Sequence, residues 1–65
     1  MNVRTVTLPT ATLRAAAIAL RLQADGLDRR ARRTTSKAMQ RMLRRWARDA
    51  VGRAVIIEQV LHDAH

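Results

Sequence analysis

Basic side chains are the residues of this chain best equipped to do chemistry, thirteen Lys and Arg against five acids. Nine Arg and one Lys fall between residues 29 and 53, where Asp49 is the only acid; the remaining residues hold three Arg and four acids. Almost the whole formal charge of +8 therefore sits in one segment. A guanidinium is planar, always charged, and offers paired hydrogen bonds that match a phosphate or a carboxylate. So many like charges repel one another unless a polyanion screens them. A solvated helix face normally mixes signs, which this segment does not. The expected nucleic-acid contacts are Arg29, Arg30, Arg32, Arg33, Lys37, Arg41, Arg44, Arg45 and Arg48. Base-specific readout has little behind it, because no Asn, Tyr or Phe is interleaved with these arginines.

Other chemistry has thin material. His62 and His65 flank Asp63 at the end of the chain, but no Cys and no third strong ligand accompany them, so no metal site is expected. Ser36 is the only serine and has no base placed to activate it, and Glu58 is the only Glu. The pattern predicts no catalytic residues, no cofactor and no enzyme. Trp46 is the only aromatic residue and stands between Met42 and Ala50 on an apolar stripe, which reads as a packing anchor ahead of a base-stacking platform. Met39 and Met42 read as adaptable packing.

The elements that must position these residues are mostly helical. Sixty-five residues make one small domain. The expected fold class is mainly all-α: a strand or arm over residues 1–9, a short Ala-rich helix over 10–25 stopped by Asp25-Gly26, a basic turn over 26–35, and a long basic amphipathic helix over 36–63 with room for a bend at Gly52. On a single helical wheel, Ala31, Thr35, Met39, Met42, Leu43, Trp46, Ala50, Ala54, Ile57, Val60, Leu61 and Ala64 share one sector, and Arg30, Arg33, Lys37, Arg41, Arg44 and Arg48 take the opposite one. Leu13, Leu20, Met39, Leu43, Trp46, Ile57 and Leu61 are the expected core and dimer residues. The second helix would be roughly 40 Å long and the first about half that, so a second chain is expected to cover the rest of the apolar face, as a homodimer. The longest uninterrupted apolar run, Ala15 to Leu20, is too short to span a bilayer. With no Cys, a cytoplasmic protein is expected.

The segment Arg4 to Pro9, RTVTLP, followed by Thr12-Leu13, Ala16 and Ala19, resembles the opening of ribbon-helix-helix DNA-binding proteins over about the first third of the chain. The resemblance implies that two chains pair their N-terminal strands into a ribbon that enters the major groove. Thr5 and Thr7, with Val3, would then face DNA, while Val6 and Leu8 point inward. A ribbon-helix-helix dimer is accordingly the alternative fold. The expected function is a small nucleic-acid-binding regulator, a transcription regulator with DNA ahead of RNA, acting as a homodimer through Arg-rich surfaces. A second expectation is an inhibitor or accessory protein of phage or plasmid type that docks its basic helix on an acidic surface of a larger protein.

Overall fold

In the computed structural model, which describes residues 9–63, the chain forms two helices, α1 (Thr10–Arg33) and α2 (Lys37–Asp63). Only Thr34, Thr35 and Ser36 separate them, and a link that short returns the chain alongside itself as an antiparallel hairpin. The fold is mainly all-α. No strand occurs among the described residues, and two long helices in a hairpin give the ribbon-helix-helix alternative no support. The expected strand or arm, with Thr5 and Thr7, lies outside the described residues apart from Pro9.

An alanine seam holds the helices together. The buried residues are Ala17, Ala24 and Ala31 on α1 and Leu43, Ala47, Ala50 and Ala54 on α2. With half-buried Leu20 and Leu27, the α1 set alternates steps of three and four residues, and α2 does the same from Leu43 through Ala54 to Ile57 and Leu61. That alternation averages 3.5 residues, so each stripe keeps facing its partner along the full length. Alanine at the contact positions lets two backbones approach toward the short end of the usual range of about 8 to 10 Å. At its centre Ala24, Ala47 and Ala50 form one cluster, with Leu20, Leu27 and Val51 packed against it. Leu43, 2% exposed, is the only large side chain in the buried set.

The first helix is longer than its composition suggests. The expected stop at Gly26 and the expected turn over 26–35 are corrected: α1 runs through Gly26 to Arg33, and Gly26 has no positive φ. Continuing the helix brings Leu27 and Ala31 onto the seam, and that packing outweighs the roughly 1 kcal/mol cost of a helical glycine. The arginines fit there as well. Arg30, Arg32 and Arg33 occupy the last turn of α1, where the negative end of the helix dipole favours cations. As the start of α2 the same residues would have met the positive end. The two helices are thus nearly equal, 24 and 27 residues, and the expected mismatch in length disappears.

The ends of the helices are fixed locally. The Pro9 carbonyl accepts from the Thr12 and Leu13 N–H groups, and among the described residues no side chain caps α1. At the other end Thr34 is extended and its N–H donates to the Arg30 carbonyl. Ser36 caps α2, its Oγ accepting from the Met39 N–H at 3.2 Å. Gln40 donates its side-chain Nε2 to the Thr34 carbonyl at 2.9 Å, which ties the connection down. The α2 helix passes through Gly52 without interruption. No described helix is long and apolar enough to cross a membrane.

Candidate nucleic-acid interface

The hairpin brings together what the sequence separates. Arg29, Arg30, Arg32 and Arg33 close α1, Lys37 opens α2, and Arg41, Arg44, Arg45 and Arg48 follow on its next three turns, so all nine surround the connection end. Every one of them is exposed. Among the described residues the only ion pair is Arg21 with Glu58, far from this cluster, and no hydrogen bond engages any of the nine side chains. The acids nearest in sequence, Asp25, Asp28 and Asp49, leave them unpaired.

Helical phase decides which way these cations face. On α2, Lys37, Arg41, Arg44 and Arg48 fall within a sector of about 60° on one side of the seam, with Arg45 just beyond it. Arg41, Arg44, Arg45 and Arg48 line a single shallow depression that Asp49 closes. A second depression, between the helices, joins Arg44 and Arg48 to Asp28 across Ala47 and Val51. On α1 only Arg32 shares that side, whereas Arg29 and Arg33 turn outward and Arg30 comes round to the opposite flank. The basic surface is therefore a stripe along α2 that broadens into a collar at the tip. Its donors are spread over several turns without an enclosing wall, a shape suited to a repeating anionic backbone rather than to one small anion.

The other side of α2 is largely apolar, interrupted by Arg53 within it and Asp49 at its edge. Met39, Met42, Trp46, Ile57 and Val60 share another sector of about 60° across the seam from the arginines. Trp46 lines a depression with Leu20, Gln23, Asp49, Ala50 and Arg53. Of the expected core and dimer residues, Leu43 is buried, Leu13, Leu20, Ile57 and Leu61 are half-buried, and Met39 and Trp46 stand outside the hairpin's core at 41% and 48% exposed. The stripe drawn through the bulkiest residues was too wide for one neighbour. Its seam edge touches α1, and its outer edge, with Trp46, is open. Ala47, at the centre of the seam, was missed because it stands between Trp46 and Arg48; the three-four spacing of Leu43, Ala47, Ala50 and Ala54 is the signal that locates it.

Toward the far end of the hairpin lies the only ion pair among the described residues. Arg21 Nε and Nη2 donate to the two carboxylate oxygens of Glu58 at 2.6 and 2.7 Å. This paired hydrogen bond, reinforced by the attraction of opposite charges, holds the Glu58 carboxyl below its usual pKa and raises that of Arg21. The pair links α1 to α2, and because both side chains are largely exposed its contribution is small. Among the described residues no cluster of His, Cys, Asp and Glu could hold a metal ion.

Together the fold and the exposed arginines define a class, a two-helix hairpin with an unpaired basic tip. Compared with known proteins, the sequence matches no family model, no curated protein and no solved structure.

Proposed function

We infer that this protein binds nucleic acid, gripping the phosphate backbone with the tip of the hairpin. The observation that carries the reading is the set of nine exposed cations, free of internal ion pairs, gathered on adjacent turns at one end. Each guanidinium is available for a charge-assisted hydrogen bond to phosphate, and releasing the condensed counterions drives association. The contacts are to the backbone, so sequence discrimination by the tip is weak. The proposed role is that of a small DNA-binding regulator, with two copies acting together.

The test is binding to duplex DNA, single-stranded DNA and RNA, followed by fluorescence anisotropy at increasing salt. Six to nine phosphate contacts give log K a slope of about −5 to −8 against log salt, a loss of about a thousandfold or more between 50 and 200 mM. An affinity that hardly changes with salt would remove phosphate neutralisation as the mechanism. No binding to any nucleic acid at low salt, with tight binding to an acidic protein surface, would reassign the tip to a protein partner.

A further inference from the structure

The flank of α2 that carries Trp46 has no neighbour within the hairpin. Met39, Met42, Trp46 and Val60 are all exposed there, with Asp49 and Arg53 among them and Arg30 of α1 at the tip edge, and the leucines of α1 beside them, Leu20 and Leu27, are only half-buried. A hairpin whose buried set is six alanines and one leucine gains little from its own core. The face formed by both helices on this side is roughly 40 Å long and about 20 Å wide, so about 800 Å². That equals what one partner contributes to a stable interface of ordinary size, about 800 Å².

A second copy can stack on this face about a two-fold axis in only two ways, with the tips together or with the tips at opposite ends. Charge separates the two. The tip half, residues 25–48, holds nine cations against Asp25 and Asp28. The open half, residues 10–24 and 49–63, holds Arg14, Arg21 and Arg53 against Asp49, Glu58 and Asp63, a formal balance. Tips together would place two strongly basic collars within about 10 Å. Tips apart would seat each collar over a neutral end, with the tips about 45 Å apart and the centres of the two sets of cations about 20 Å apart, beyond the screening length of about 8 Å at physiological salt. In that arrangement the axis passes near Ala50. Met39 and Met42 of one copy then lie over Val60 and Ile57 of the other, large side chains against large ones.

We propose that two copies of this chain pair antiparallel through the Trp46 flank, forming a four-helix bundle with an arginine collar at each end, and that the dimer bridges two segments of nucleic acid. The bridging step rests on the phosphate-binding reading above; the pairing does not. The two collars lie at opposite ends of the bundle, with the tips about 45 Å apart, and so can hold two separate segments.

The experiment has two arms. Without nucleic acid, sedimentation gives the mass of the full chain. Spin labels on Thr35→Cys, the only thiol in a chain without cysteine, give the tip-to-tip distance. The expected result is a dimer with labels about 45 Å apart and blue-shifted Trp46 emission. A dimer with labels within about 25 Å would overturn the antiparallel order. A helical monomer at hundreds of micromolar would overturn the pairing, and a monomer whose Trp46 emission moves only with vesicles of phosphatidylglycerol and phosphatidylcholine would give the flank to a lipid surface instead. In the second arm, duplex DNA on beads is offered a second, labelled duplex with substoichiometric protein. Capture of the labelled duplex, lost when protein is in excess, supports bridging. Binding to the beads without capture overturns bridging and leaves the phosphate reading standing. No binding to the beads overturns that reading and leaves the dimer standing.

Discussion

Toward the connection end of the hairpin, nine cations lie on the turns around a three-residue link with Asp25, Asp28 and Asp49 beside them; toward the open end, Arg14, Arg21 and Arg53 accompany Glu58 and Asp63, and Arg21 is paired with Glu58. Both ends are built on the same alanine seam, with Ala31 and Leu43 at one end and Ala17 and Ala54 at the other. The seam therefore does not explain the difference in charge. Large apolar residues are exposed toward both ends, Ile18, Leu22, Val55, Ile56 and Val60 at the open end and Met39, Met42 and Trp46 toward the tip, and at the open end Arg21 is paired with Glu58. The tip leaves its charge unpaired along its whole length. A fold that merely needed solubility would spread charge over both ends and mix the signs. Concentrating it at one end makes sense when that end meets an opposite charge.

The largest effect should come from stripping the tip. Replacing Arg41, Arg44, Arg45 and Arg48 together by Gln is expected to lower affinity for duplex DNA by about a hundredfold at low salt and to flatten the salt slope by about four. Replacing Arg14 and Arg53 at the open end should change affinity by less than about threefold. Equal losses from both variants, measured by anisotropy, would erase the distinction between the ends. Next in size is the seam itself. Leu43→Ala removes the one large buried side chain and should cost about 2 to 5 kcal/mol in urea unfolding, weakening both ends together because the stripe is continuous.

The physical basis of that continuity also explains which parts of the molecule could be read from the sequence. The second helix was legible because its apolar period is long and Ser36 supplies a cap at the expected boundary. The second half of α1 was not, since Gly26 and the run from Arg29 to Arg33 both look like local punctuation. Neither breaks the helix once Leu27 and Ala31 have a partner surface, and pairing across the seam is invisible to a reading made one segment at a time. The site was legible as a list of cations and not as a shape. Only after α1 continues to Arg33 do the arginines on either side of the link become one collar. Trp46 illustrates the converse problem: bulk drew the centre of the apolar stripe toward it, while the contact line follows the small residues that allow close approach.

Smaller effects sharpen the account of how each end is held. Ser36→Ala should cost about 1 kcal/mol by removing the bond to the Met39 N–H, and hydrogen exchange should show the loss confined first to the start of α2. Gly26→Ala and Gly52→Ala should each stabilise the hairpin by about 0.5 to 1 kcal/mol. A Cβ at Gly26 would meet only the Arg29 Nη2 at 3.9 Å, and one at Gly52 would meet nothing within 4 Å; a lower melting temperature for Gly26→Ala would instead restore the break expected there. The smallest effect belongs to the open end and to acid. Because the Glu58 pKa is lowered in the folded chain, its contribution is present above the ordinary carboxylate pKa and is lost as pH falls through the lowered value. Glu58→Gln should remove that part of the acid dependence of melting and leave the tip's affinity unchanged.

The central claim is that the tip, and not the hairpin as a whole, meets the polyanion. Mapping backbone amide and arginine Nε signals by nuclear magnetic resonance while a short duplex is titrated in tests it directly. The account predicts shifts concentrated between Arg29 and Arg48, with the Arg21 Nε signal unmoved. Shifts centred on Ile18, Val55 and Val60, or spread evenly over both ends, would contradict it.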